Sequence, residues 1–216
     1  MSNIKDVAAL AGVSVTTVSR VLNKRGYISK EVYAKVYDAM ERLDYQPNQI
    51  ARSLYSQKTN CVGVLIPDVS HPFFAEIVKR IEGELNQQGY RIFLCNAVGD
   101  GVREQEYLSM LRQNKVDGII IATHMLETSL YESLDLPIVA LDLELGESIP
   151  TVCADHEKGG RLAAQELIRS GCRCVLNVGG NMDVKTPSIR RYRACEVMLQ
   201  EAGVDCINAC LEQEFN

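Results

Sequence analysis

A chain of 216 residues with 46% hydrophobic content can bury a core of its own and is too apolar to be a disordered segment. Its 23 Lys+Arg against 28 Asp+Glu give a net charge of -5, unevenly spread: residues 1–60 hold 9 basic against 5 acidic groups (+4), the remainder 14 against 23 (-9). A basic end on an acidic body suits a chain that meets phosphate at one end only, although so small an excess also fits chance. No stretch approaches the roughly 18 apolar residues of a membrane span, and the N-terminus lacks a basic and then apolar export signal. The eight cysteines (Cys61, Cys95, Cys153, Cys172, Cys174, Cys195, Cys206, Cys210) mostly sit in apolar runs, with no C-x-x-C pair and only three His. They read as core thiols in a reducing cytoplasm, with no metal site and no cofactor expected.

In chain order, the first element is IKDVAALAGVSVTTVSRVLN, residues 4–23. Ile4, Val7, Ala8 and Ala11 fall at i, i+3, i+4 and i+7 on one face of a first helix. Gly12 frees the backbone for a turn, and Ser14 can cap a second helix. On that helix Val18, Val21 and Leu22 point inward, leaving Thr16, Thr17, Ser19 and Arg20 outside. This is a helix-turn-helix pattern. Its outer face suits DNA, since hydroxyls near a helix N-terminus can bond phosphate and an Arg can bridge guanine O6 and N7. A solvated polar face would have the same spacing. Val15 is ambiguous, lying three residues before Val18. A third helix starts at Ser29, with Val32, Val36, Met40 and Leu43 as its inner stripe. Pro47 ends it, and residues 48–56 read as a polar linker.

From Cys61 the pattern changes to strands alternating with helices. CVGVLIPDV, a helix over 73–88, RIFLCNA, a helix over 103–113, GIIIAT, a helix near 126–134 and PIVALD predict a parallel sheet with helices on both faces. TVCAD is expected to open a second such unit. A helix over 157–170, CRCVLNVGG, a helix over 188–202 and CINACL complete it. Two doubly wound units face a cleft, and ligands bind at the carboxyl ends of the strands. Candidate positions there are Phe73 and Phe74, which could equally be core aromatics, and Asp142 and Asp155, which could equally be helix N-caps. Asn96 and His124 also end strands, with weaker claims. The expected boundaries are 1–46 for the headpiece, 47–58 for the linker, and 59–150 and 151–216 for the two α/β units.

The run DVAALAGVSVTTVSRVLN followed by YISKEVYAKVYDAMERLDYQPNQIARSL resembles the DNA-binding headpiece of the lactose-repressor (LacI/GalR) family of bacterial transcription regulators. Later segments extend the likeness over nearly the whole chain. The resemblance implies an all-α headpiece joined to a periplasmic-binding-protein-like α/β core, whose second subdomain is truncated here, so the chain is expected to be C-terminally incomplete. It further implies a homodimer on a near-palindromic double-stranded operator, controlled by a small sugar. Val15, Thr16 and Arg20 match base-reading positions, and Ser14, Thr17, Ser19 and Asn23 match phosphate or supporting contacts. Tyr27 and Ser29 match backbone contacts. Leu54, with Asn48 and Ala51, matches a hinge leucine that wedges into the minor groove, although by residue type alone it is an ordinary linker apolar residue. In the effector cleft, Phe73 and Phe74 match lining positions.

SIRRYRACEVML aligns with the family's S-x-R-x-x-G pattern, making Arg191 the effector arginine, with Arg190 and Arg193 as alternates. Ala194 stands where the family has Gly, and Cys195 where it often has an aromatic. Within the family, NKRGYISKE, QPNQIARSL, EQEYLSMLRQNKVDGII and KGGRLAAQELIRSGC are similar to repressors of sucrose operons, implying a sucrose-derived or fructose-containing effector. The alternatives are another sugar or sugar phosphate, a free sugar-binding protein, and an α/β enzyme. The last would need a fingerprint such as G-x-G-x-x-G, G-x-x-x-x-G-K-[ST] or G-x-S-x-G, none of which occurs.

Overall fold

The computed structural model describes residues 2–23, 25–46, 58–98, 100–123, 126–179 and 187–210. The chain divides into two compact units, residues 1–59 and 60–216. In the first, α1 (Ile4–Ala11), α2 (Val15–Leu22) and α3 (Lys30–Arg42) form from local signals. Asn3 accepts from the backbone N–H of Lys5 and Asp6 while Asp6 accepts from the Asn3 N–H, a reciprocal cap the hydrophobic periodicity does not reveal. Gly12 ends α1 at φ 65°, in the left-handed region. Val7, Ala8, Ala11, Val18, Val21, Val36 and Ala39 are buried together, with Ile4, Leu22, Val32, Met40 and Leu43 packed around them. The inner stripes expected of all three helices thus meet in one small core.

In the second unit, β1 (Cys61–Ile66), α4 (Pro72–Gln87), β2 (Arg91–Asn96), α5 (Gly101–Gln113), β3 (Gly118–Ile121), α6 (Thr128–Glu132), β4 (Ile138–Leu141) and β5 (Thr151–Val152) come first. They build an all-parallel sheet of order β2-β1-β3-β4-β5. The side-chain period of two splits β1 between two cores. Val64 and Ile66 pack with Val78 of α4, and Leu65 with Leu108 and Leu111 of α5. Each large aliphatic buried there contributes roughly 1.5–3 kcal/mol. That core also encloses a carboxylate, Glu104, which accepts from the Tyr131 hydroxyl and, at 3.1 Å, from Thr123 Oγ1. Tyr131 in turn accepts from the Leu126 N–H at 3.2 Å. Burial and the neighbouring carboxylate hold the Tyr131 phenol well above its usual range.

α7 (His156–Arg169), β6 (Cys174–Gly179), α8 (Ile189–Glu201) and β7 (Asp205–Cys210) follow, with β6 and β7 paired in a separate two-stranded parallel sheet. One face is covered by α7 and α8 around Ala164, Cys195, Leu199 and Val204. Leu176, Val178 and Ile207 lie exposed. The two helices approach closely at Gly160, where an added Cβ would sit 2.2 Å from the Arg191 carbonyl oxygen.

The expectation that TVCAD opens the second unit, with a boundary between 150 and 151, is not met. Thr151–Val152 pairs with Ala140 and Leu141 and so closes the edge of the first sheet. Its connection from β4 carries no helix; Leu143, Leu145 and Ile149 are buried in the first core instead. The cysteines also divide: Cys95 and Cys195 are buried, whereas Cys153 and Cys174 are exposed rather than core thiols.

Candidate functional site

On the headpiece, Val15 is 40% exposed and Thr16 and Arg20 are exposed, so the ambiguity at Val15 resolves outward. At 100° per residue, Val15, Thr16, Ser19 and Arg20 span an arc of about 140° opposite the buried Val18 and Val21. Ser14 Oγ caps α2 by accepting from the Thr17 N–H at 3.1 Å, and the two hydroxyls lie 2.9 Å apart. Asn23 closes the other end, donating to the Ser19 carbonyl at 2.9 Å. Ser29 caps α3 through the Val32 N–H, and Tyr27 is 94% exposed beside it. Arg20 Nε donates to the Arg25 carbonyl at 3.4 Å, so in the free chain its guanidinium lies toward the following loop. The surface therefore offers two capped helix N-termini, small hydroxyls, one guanidinium and one projecting phenol, the group set that contacts phosphates and base edges. Asn48, Ala51 and Leu54 lie outside the described residues, as does His124.

In the second unit a cleft of about 580 Å³ opens at the carboxyl ends of β4 and β5, within the range of small-molecule sites. Phe73 and Ile77 from α4 line one side, and Asp142, Asp155, His156 and Arg191 supply the polar groups. Four of the five residues expected there are thus brought together. Phe74 is not: its ring packs against Val64, Ile66 and Val78 and stands edge-on to Phe73 at 5.1 Å. Two adjacent residues at a helix start point about 100° apart, so one faces the cleft and the other the core. Asn96 braces the loop before α4, accepting from the Val69 N–H at 3.1 Å. Arg190 pairs with Glu144 on the surface. Arg193 lines a separate depression between α7 and α8, together with Glu157, Arg161 and Arg190.

Asp142 follows β4 at φ 56°, a left-handed conformation that Asp tolerates better than most residues, and its N–H donates to the Val152 carbonyl at 2.8 Å. That turn aims its carboxylate at His156, whose Nε2 is 2.5 Å from Asp142 Oδ1. Arg191 Nη2 is 3.1 Å from Nδ1 on the other side of the ring. A guanidinium has only donors, so Nδ1 must be the bare nitrogen and Nε2 must carry the proton. His156 is therefore a neutral bridge between Asp142 and Arg191, and it is only 5% exposed. Asp155 caps α7, accepting from the Lys158 N–H at 3.0 Å, and it also lines the cleft. Of the four polar groups named here, His156 is the one that the sequence reading does not reach, and that reading also passes over the apolar Ile77. The signal was present in the buried i, i+4, i+8 stripe of His156, Gly160 and Ala164. Among the described residues, no three His, Cys, Asp or Glu side chains come together as a metal cage, and no helix is long and apolar enough to cross a membrane.

Residues 3–48 match the family described as bacterial regulatory proteins, lacI family, and residues 59–206 that of periplasmic binding proteins and the sugar-binding domain of the LacI family. The chain is 43% identical to the ribose operon repressor of Halalkalibacterium halodurans over 94% of its own length and 61% of the relative's. It is 41% identical to the sucrose operon repressor of Streptococcus mutans, over 94% and 64% of the two chains. The chain thus spans a little over three fifths of these relatives. Among solved structures, the lac repressor dimer bound to operator and the anti-inducer ONPF superposes with a TM-score of 0.80 at 26% identity, covering 97% of this chain and 64% of that one. A periplasmic binding protein/LacI transcriptional regulator from Alkaliphilus metalliredigens, complexed with D-xylulofuranose, gives 0.67 at 29% identity, covering 73% and 58%.

Proposed function

Because the chain belongs to the lacI family of bacterial regulatory proteins, we propose that it is a sequence-specific DNA-binding repressor whose operator affinity is set by a small sugar. The observation that carries this reading is that one chain joins a helix-turn-helix with an open recognition face to a cleft where Asp142 and Arg191 converge through His156. In it Val15, Thr16 and Arg20 read base edges while Ser14, Thr17, Ser19, Asn23, Tyr27 and Ser29 fix the backbone. Asn48, Ala51 and Leu54 form the hinge that reaches the minor groove. Phe73, Asp142, Asp155 and Arg191 hold the sugar, with the Phe73 ring against its C–H face and the polar groups on its hydroxyls. The working form is a cytoplasmic homodimer on a near-palindromic operator, with no catalytic role.

Sugar controls DNA affinity only if it binds the DNA-competent and DNA-incompetent states unequally. Likeness to sucrose operon repressors favours a sucrose-derived or fructose-containing effector, and the ribose operon repressor keeps ribose as the second choice. Fluorescence anisotropy on an operator-bearing promoter fragment and a scrambled duplex, at fixed salt, tests the whole reading. Specific binding changed at least tenfold by one of these sugars is expected. Binding that is equal on both duplexes, or blind to every sugar, refutes it.

A further inference from the structure

An arginine at the cleft suits a hydroxyl pair, a carboxylate or a phosphate equally, so the charge class of the effector must come from what surrounds it. Among the described lining residues, two features of the cleft could attract an anion: the Arg191 guanidinium and the N-terminus of α7. The N-terminus is already taken by a carboxylate of the protein, and the guanidinium is held by an imidazole that a second carboxylate holds in turn. Arg191 is tied through the neutral His156 to Asp142, and the α7 N-terminus holds Asp155 on the Lys158 N–H. Counting Asp142, Asp155, Arg191 and a neutral His156, the described cleft lining carries one net negative charge. A phosphate monoester bears about 1.5–2 further negative charges at neutral pH, and among the described lining residues it would meet two carboxylates and one guanidinium already held by His156. Hydroxyls face no such penalty. They can accept from the guanidinium hydrogens not turned toward His156 and donate to the free carboxylate oxygens.

We propose that the His156 bridge and the Asp155 cap restrict the effector to an uncharged polyhydroxylated ligand and exclude its phosphate monoester. This rests on the cleft being the effector site. The test is calorimetric titration of the whole chain with sucrose, fructose and ribose and with sucrose 6-phosphate, fructose 6-phosphate and ribose 5-phosphate at one ionic strength. At least one free sugar should bind tenfold or more tightly than its own phosphate. A phosphate that binds as tightly as its free sugar, or more tightly, overturns the charge argument and leaves the cleft reading standing. Absence of heat from all six, in a chain that circular dichroism shows to be folded, overturns both.

Asp155→Asn keeps the helix cap and removes one negative charge. It should move the phosphate-to-sugar affinity ratio toward phosphate by about fivefold or more, and an unmoved ratio counts against the proposal. Imidazole ¹⁵N shifts give a ligand-free check. His156 should show protonated Nε2 and bare Nδ1, and an imidazolium or the opposite tautomer refutes the bridge.

Discussion

Gly160→Ala tests whether the spacing of α7 and α8 is what positions Arg191. The added Cβ would lie 2.2 Å from the Arg191 carbonyl oxygen and 3.1 Å from Ala194 Cβ. Against a C···O contact of about 3.3 Å, α8 must retreat by about 1 Å, and a backbone oxygen cannot swing aside as a flexible side chain can. Overpacking of this kind costs roughly 1–3 kcal/mol, offset by about 0.5–1 kcal/mol from replacing Gly in a helix interior. The net loss should be centred near about 1.2 kcal/mol and reach at most about 2.5 kcal/mol, so for a unit of this size the central value lowers Tm by roughly 2–5 °C. Gly159→Ala is the control: nothing lies within 4 Å of its Cβ, so it should be stabilised by up to about 1 kcal/mol.

The same retreat lengthens the 3.1 Å bond from Arg191 to His156 to about 4 Å, beyond hydrogen-bond range. Sugar affinity should therefore fall about five- to tenfold in Gly160→Ala. Scanning calorimetry on both variants and sugar titration on Gly160→Ala give the answer. If Gly160→Ala melts at or above Gly159→Ala, the packing argument is wrong. If it melts lower with sugar affinity intact, the helix spacing does not position Arg191.

Tyr131→Phe strips Glu104 of a buried donor and the Leu126 N–H of its acceptor, so urea unfolding should show a loss of about 1–3 kcal/mol. Arg20→Ala should weaken binding to the operator by about 1–3 kcal/mol and to a scrambled duplex far less; equal losses by anisotropy would make Arg20 a phosphate contact. In native labelling with Ellman's reagent at pH 8, exposed Cys153 and Cys174 should react first. Burial pushes the Cys95 thiol up to about 11 and raises that of Cys195. At pH 8 only about one Cys95 in a thousand is then thiolate, so both should label only on unfolding. Cys153 lines the cleft, and a bound sugar should slow its reaction severalfold, as peptide mapping would show.

The headpiece is legible because each of its three short helices carries one apolar stripe at helical spacing, i, i+3, i+4, i+7 in α1 and i, i+4, i+8, i+11 in the third, and the stripes pack together. Caps were half legible: Ser14 and Ser29 stand out as hydroxyls before apolar stripes, whereas Asn3 with Asp6 at the very start of the chain does not. The two residues of β5 are too few to show periodicity, and only pairing with Ala140 and Leu141 decides their sheet. Phe73 and Phe74 are chemically identical and one helical step apart, so residue type could not separate cleft from core. Among the three arginines, resemblance points to Arg191 and only the direction of α8 puts that one, rather than Arg190 or Arg193, on the cleft. Alternation also accounts for the misread thiols, since Cys174 lies on the same strand as the inward-packed Val175.

The left-handed backbone at Asp142 limits what evolution can write there. Among polar residues, Asn and Asp are the ones that enter that conformation readily, and they are nearly isosteric. Drift at this codon therefore offers little choice of shape but a clean choice of charge, and Asp and Asn codons differ by a single base. One transition would turn an acceptor-only carboxylate into an amide and remove its negative charge from the cleft, with the turn undisturbed. A lineage with this backbone stands one mutation away from admitting a differently charged class of metabolite.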